Sequence, residues 1–470
     1  MKRWLAWSAV AAAVATLAAC GGGSDPAPMR GGVIQVESFG SLTREQIDAG
    51  TAANGSQALT GAAVCNVTVQ RVRYQTKDPS GQDATASTAV MVPTGGGLAC
   101  SGTRPVVLYA HGTTTVRSFN MANVSTNGEA ALAMAMFAAQ GFIVVAPNYL
   151  GYDTSSLSWT PYLNAESSAV DTIDALRAAT GYLNTSSAVR PGTRPPVFVT
   201  GYSQGGHVAM AAHKVLERDH VGEFTVIGSG PMSGPYNLVT LGDLAAPPEP
   251  TAPLINAGAT IFVPLLLTSY QRSYGGIYAQ ASDVYQAPFA ATAESLFPTD
   301  TPVPDLIAQG RLPADPTFTR LYGPGGLLTP AFRSGYPTSA YRQALLRNTL
   351  VGQDARATSP ATATIAWQPR APVTMCGGAL DPTVFFAPNT TVAQAVFTGL
   401  GLTNTVAFDL ENRASLPPGP AGDLVFGGFQ QAKAAAGVNA TAQYHGTLVP
   451  PFCTALVRAS LQRILTPPAP

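Results

Sequence analysis

Six short, unbroken apolar runs constrain this chain more than any other feature. They are PVVLYA (105–110), FIVVAP (142–147), PVFVTG (196–201), FTVIGSG (224–230), PVTMC (372–376) and TVAFDL (405–410). Each is apolar at consecutive positions rather than alternate ones, so the strand it forms must be covered on both faces. Helical stretches separate or follow them: ESSAVDTIDALRAAT (166–180), GGHVAMAAHKVLERD (205–219) and VPPFCTALVRASLQRIL (449–465). Strands interleaved with helices predict an α/β fold, a mostly parallel central sheet with helices on both faces. Ahead of them, VTVQRVRYQT (67–76) and ASTAVMVP (86–93) alternate in character and read as an antiparallel pair.

The alternation lapses between Gly234 and about Thr364, where Pro, Leu, Tyr and Phe are frequent, as in LINAGATIFVPLLLTSYQRSYGGIYAQ (254–280). That stretch is too long for a loop and too apolar for a disordered linker. A mostly helical cap or lid over 234–364 is expected, inserted between a first core segment, 41–233, and a second, 365–470. The N-terminus, MKRWLAWSAVAAAVATLAAC, has a basic start, a short apolar stretch and small residues before Cys20, the pattern of a signal peptide over 1–19. LAAC resembles the bacterial lipobox, which implies lipidation of Cys20. Ordinary secretory cleavage nearby is the alternative, with a periplasmic or secreted product. Gly21 in place of an aspartate favours, by the same resemblance, the outer membrane. GGGSDPAP then reads as part of a flexible tether over 20–40.

Charge is sparse and balanced, 26 basic against 26 acidic residues with no basic stripe, so nucleic acid is not an expected partner. Setting Cys20 aside, four cysteines remain, an even number suited to an oxidising compartment. Of three possible pairings, Cys65–Cys100 is favoured because it brackets the strand pair. Cys376–Cys453 is its complement. No cysteine pair has zinc-ligand spacing, and neither a metal nor a cofactor is implied.

The stretch VFVTGYSQGGHVAMAAHKVL (197–216) carries the chemistry. GYSQG fits G-x-S-x-G, a pattern that is weak alone, but here a strand feeds it and a helix leaves it. A serine on so sharp a turn stands exposed at the carboxyl edge of the sheet. As a nucleophile, Ser203 needs a base oriented by a carboxylate. The order serine, acid, histidine and an acid on the loop after PVTMC leave only His445 among five histidines. It lies in TAQYHGTLVPPFC, read as a loop before the last helix. The acid is Asp381 in CGGALDPTVFF, with Asp409, inside a strand-like run, as competitor. A Cys376–Cys453 bridge would tie the acid loop to the base loop. The oxyanion would be met by the backbone N–H of Gln204 and that of Thr113 in LYAHGTTT, with Thr114 as second choice. His111 and His207 read as structural.

Together, YAHGTT, APNYLGYDTSS, GYSQGGH, LDPTV and YHGTLVPPFC resemble the secretory lipases, a family of α/β-hydrolases that includes fungal lipases of the lipase A type and exported bacterial esterases. The resemblance covers most of the chain from Cys65 onward. It implies the α/β-hydrolase fold, a helical cap, a triad of Ser203, Asp381 and His445, and hydrolysis of carboxylic esters, including lipid degradation. The fungal lipases lack His-Gly at the oxyanion loop, and the insert matches no family motif. A serine peptidase, an acyltransferase, or a non-catalytic ligand-binding surface lipoprotein are the competing readings. Substrates reached outside the cytoplasm, small or polymeric apolar esters, are expected.

Overall fold

The computed structural model describes residues 29–466. Among them a nine-stranded sheet is built from β1 (Val33–Leu42), β2 (Asn66–Lys77), β3 (Asp83–Thr94), β4 (Val106–Ala110), β5 (Ile143–Pro147), β6 (Pro196–Tyr202), β7 (Thr225–Met232), β8 (Val373–Gly377) and β9 (Thr405–Asp409). The order across the sheet is β1-β2-β3-β5-β4-β6-β7-β8-β9. Pairings from β1 to β5 are antiparallel, and those from β5 to β9 are parallel.

Four helices flank the first part of the sheet: α1 (Arg44–Ala53), α2 (Gly128–Met136), α3 (Ala165–Ser186) and α4 (Gln204–Asp219). Further along lie α5 (Leu238–Ala245), α6 (Ala259–Tyr274), α7 (Ala340–Arg347), α8 (Pro420–Ala436) and α9 (Val449–Leu465). The apolar runs explain the layering. Val107, Tyr109, Val144, Ala146 and Phe198 face α2 and α9, while their neighbours Val106, Leu108, Ile143, Val145 and Val199 face α3 and α4. Every second residue thus enters a different core, and each buried Val, Leu or Ile contributes roughly 1.5–3 kcal/mol.

The strand order reverses at β4. The chain leaves β4 for α2 on one face and β5 on one side, then returns through α3 on the other face to β6 on the far side. Connections that part at adjacent strand ends open a crevice at the carboxyl edge of the sheet. Residues 234–364 pack around a core of their own, including Leu265, Tyr270, Phe297, Tyr336 and Tyr341. This segment bonds to the loops at that edge. Thr299 donates to the Thr115 carbonyl (2.8 Å), and Ala257 to that of Pro382 (2.9 Å).

One expectation is corrected here. The stretch read as tether through residue 40 is sheet from Val33 onward, paired antiparallel with β2. Both faces of β1 are mainly exposed, so no buried alternation marks it in the sequence. Both disulfides are present with the expected pairing, Cys65–Cys100 and Cys376–Cys453. Among the described residues no helix is long and apolar enough to cross a membrane. Cys20 and the signal segment lie outside the described residues.

Candidate active site

β6 ends at Tyr202 and α4 begins at Gln204, leaving Ser203 alone at the turn with φ 58° and ψ −119°. That left-handed backbone is costly for a residue with a side chain, and the surroundings must enforce it. They do so by close packing. A Cβ on Gly205 would stand 1.9 Å from the Ala110 carbonyl oxygen, and one on Gly201 2.4 Å from the same atom. The two glycines of GYSQG let α4 start against β4 with nothing between. Ser203 N–H donates to the Met232 carbonyl at 2.9 Å, which holds the turn against β7.

The structure brings Ser203, His445 and Asp381 together from three separate elements. Ser203 Oγ lies 2.8 Å from His445 Nε2, and His445 Nδ1 lies 2.6 Å from Asp381 Oδ2. The carboxylate neighbour places the proton on Nδ1 and leaves Nε2 to accept from the serine hydroxyl. Asp381 is buried, and its other oxygen accepts from the backbone N–H groups of Thr383 (2.9 Å) and Val384 (3.0 Å). Three donors therefore compensate one buried carboxylate.

His445 is not in a loop as expected. Ala440–Gln443, a wide turn over Tyr444–Leu448 and α9 run on as one helical stretch. Pro450 and Pro451 have no N–H to return to the carbonyls of 446 and 447, so the turn ahead of them opens. Tyr202 Oη donates to the His445 carbonyl at 2.5 Å and fixes that turn from β6. The competitor Asp409 instead supports the acid loop, with Oδ1 accepting from Ala379 N–H (2.9 Å) and Glu411 N–H (3.0 Å). Tyr444, beside the imidazole residue, donates to Glu411 at 2.8 Å.

Gln204 is the first residue of α4 and Thr113 follows β4 in the facing loop. Neither backbone amide has an acceptor among the described residues. The Thr113 side chain is held 2.8 Å from Tyr162 Oη. His111 is wholly buried, its ring nitrogens 2.6 Å from the Gly112 carbonyl and 3.2 Å from that of Asn148. His207 reaches the Asn348 carbonyl at 2.9 Å. Burial pushes both imidazoles down to about 4.

Sequence reasoning missed Glu129, which lies in the first turn of α2 and lines the same groove as Ser203 and His445. Burial pushes its carboxyl up to about 7, against the Gly112 amide, the Tyr109 hydroxyl and the His445 imidazole, which all favour the carboxylate. An acid in a first helical turn ordinarily reads as a complement to the helix dipole, so nothing in the sequence set it apart.

Two spaces meet at Ser203. A narrow apolar channel of about 90 Å³ runs from Ser203 and Gln204 past Leu238 and Ala245 towards Phe332 and Tyr336. A wide groove of about 900 Å³ lies on the other side, between α1, α2 and the His445 turn. Phe262 of α6, like Ser203, lines both.

A doubly covered sheet with a serine at a strained strand-to-helix turn and a histidine and acid beside it defines the α/β-hydrolase class. No protein-family model and no curated protein matches the chain. Solved structures do. The rice cell wall degrading esterase LipA from Xanthomonas oryzae is 30% identical over 81% of this chain and 91% of that one, with a TM-score of 0.68. A mutant form of that esterase aligns over 93% of this chain and 99% of its own at 28% identity and a TM-score of 0.71. Candida antarctica lipase A shares the fold at 13% identity, a TM-score of 0.54, and coverage of 81% and 77%. The chain belongs to the lipase and esterase family that includes LipA.

Proposed function

We propose that this protein is an exported serine carboxylic ester hydrolase working through an acyl-enzyme on Ser203. The observation that carries the reading is the continuous relay from Asp381 through His445 to Ser203 Oγ, at 2.6 Å and 2.8 Å. Ser203 Oγ attacks the ester carbonyl while His445 Nε2 takes its proton. The same imidazole returns that proton to the leaving alcohol, and a water molecule repeats the sequence to release the acid. Asp381 holds the tautomer and stabilises the imidazolium. The Gln204 and Thr113 amides, which have no protein acceptor among the described residues, donate to the oxyanion.

Segment 234–364 serves as the cap. The narrow channel suits an acyl chain, whereas the wide groove suits a bulky or polymeric alcohol, as befits a relative described as degrading cell walls. Two disulfides support an oxidising compartment, and a lipid on Cys20 would hold the enzyme at the outer membrane.

A fluorophosphonate probe tests the assignment. Wild type should label at Ser203 and hydrolyse p-nitrophenyl esters, and Ser203→Ala should lose both, with kcat down by about 10⁴-fold or more. Unaltered turnover in that variant would refute the mechanism. Parallel assays on an amide of the same acyl group separate an esterase from a peptidase.

A further inference from the structure

We infer that Glu129 is the positioning residue of the oxyanion loop: its carboxylate clamps the Gly112 amide so that residues 113–114 present their own amides to Ser203. The inference rests on the serine hydrolase reading and adds a residue to it. Gly112 N–H donates to both carboxylate oxygens, at 3.0 Å to Oε1 and 3.1 Å to Oε2. Tyr109 Oη, from β4, donates to Oε1 at 3.1 Å. A single half-buried carboxylate thus ties the end of a sheet strand to the first residues of the loop beyond it.

Three observations separate this arrangement from ordinary helix capping. Asn127 already caps α2, its Oδ1 accepting from Glu129 N–H and Ala130 N–H at 3.1 Å each. The Glu129 side chain points instead out of the helix to a loop 17 residues earlier. Second, Gly112 must lie close to the nucleophile, because a Cβ there would stand 3.8 Å from Ser203 Cβ and 3.5 Å from the Tyr202 carbonyl. An amide consumed by Glu129 cannot serve the oxyanion, so the donor must be the next one along. Third, the half-buried carboxyl also accepts from the Tyr109 hydroxyl, a second partner that a complement to the helix dipole does not need.

Other contacts hold the loop as well: His111 Nδ1 lies 2.6 Å from the Gly112 carbonyl, and Thr299 N–H donates to that of Thr115 at 2.8 Å. Tyr149 Oη donates to the His111 carbonyl at 3.0 Å, Tyr152 Oη to that of Thr114 at 2.8 Å, and Thr113 meets Tyr162. These contacts fix carbonyls and a side chain. Glu129 is the acceptor that holds the Gly112 amide at the turn where strand becomes loop, and together with these contacts it sets the direction of the amide that follows.

Glu129→Ala should lower kcat by about 100-fold with KM within about twofold, the signature of a contact made in the transition state. Glu129→Gln retains an acceptor for Gly112 and should recover kcat to within about tenfold of wild type. A trifluoromethyl ketone inhibitor, which forms a tetrahedral oxyanion on the serine, should lose affinity in step with kcat/KM. Hydrogen exchange supplies a readout that needs no turnover. Peptides covering residues 109–116 should lose protection in Glu129→Ala and keep it in Glu129→Gln, with circular dichroism confirming the fold of both. Unchanged exchange in Glu129→Ala overturns the clamp whatever the enzyme does. Altered exchange with unchanged kcat in an active enzyme overturns its link to the oxyanion. Loss of all turnover in wild type would be the failure of the hydrolase reading instead.

Discussion

Five histidines occupy this chain, and the structure sets them in different surroundings. His445 is the one whose Nε2 faces a serine hydroxyl at the rim of a groove. His213 shows that spacing alone does not make a site. Its Nδ1 lies 2.8 Å from Ser229 Oγ and its Nε2 3.1 Å from Glu217 Oε1, a second serine, histidine and acid within reach. Ser229 and His213 are wholly buried in the core, where no substrate can reach them. His111 and His207 are neutral anchors, and their pKa values near 4 set a pH dependence of stability. An unfolded histidine binds its proton near pH 6.5, so the stability from keeping these rings neutral is complete above that pH. It is lost as pH falls from about 6.5 towards 4, by up to roughly 3 kcal/mol per histidine. Denaturant unfolding between pH 7.5 and 4 should record that decline. His207→Gln keeps a donor for the Asn348 carbonyl without titrating, so its stability should fall less steeply, by one proton's worth. Parallel curves for the two proteins would exclude His207 as a source. Among the residues of the site, Ser203 and His445 were legible because motif and chain order restrict them. Glu129 was not, because its partner Gly112 is reached only in three dimensions.

At the scale of elements, legibility followed burial. The parallel strands β4 to β8 announce themselves because both faces are apolar, and their observed limits fall within a few residues of the runs. β1 is exposed on both sides and is held by backbone pairing, which leaves no side-chain pattern. Helix α8 was also missed, since its Gly- and Ala-rich sequence buries only Gly422, Val425 and Phe429. The His445 turn was misread because Pro450 and Pro451 argue locally against a helix that the packing of α9 sustains. That turn gives the Cys376–Cys453 bridge its role. It fastens β8, which leads into the Asp381 loop, to α9, which continues from the His445 turn. By loop-closure entropy the 77-residue separation and the 35-residue separation of Cys65–Cys100 are each worth about 4 kcal/mol. The effects on activity should differ. Removing Cys376 and Cys453 as a pair of alanines should lower both the denaturation midpoint and kcat at a temperature where the variant remains folded. Removing Cys65 and Cys100 should lower the midpoint alone. Equal kcat in both variants would show that the bridge does not hold the acid and base loops in register.

The molecule as a whole places Ser203 at the junction of two spaces whose linings come largely from different parts of the chain. The lapse of alternation after Gly234 set that stretch apart from the sheet-forming sequence but gave no indication of its path. Its core is a cluster of tyrosines, leucines and phenylalanines joined by short turns, and no period organises such a sequence. The channel belongs mainly to this insert, through α5, α6 and α7, whereas the groove is lined mainly by α1, α2, the loop after β4 and the His445 turn, with Gly258, Ile261 and Phe262 from the insert. If acyl chains occupy the channel, filling it should act on chain length alone. Ala245 is a suitable position, half-buried on the channel wall in α5, where leucine is an equally good helix former. Ala245→Leu should cut kcat/KM for p-nitrophenyl octanoate about tenfold or more while leaving the acetate ester within about twofold, since each misplaced methylene costs about 1–3 kcal/mol. Ala131→Trp, on the groove side of α2, should do the opposite. It should slow esters of bulky alcohols by a constant factor at every acyl length, because the acyl group never meets it. A uniform loss across acyl lengths in Ala245→Leu would mean that the chain does not enter the insert. The acyl group would then share the groove with its alcohol, and the insert would act only as a cover over the serine.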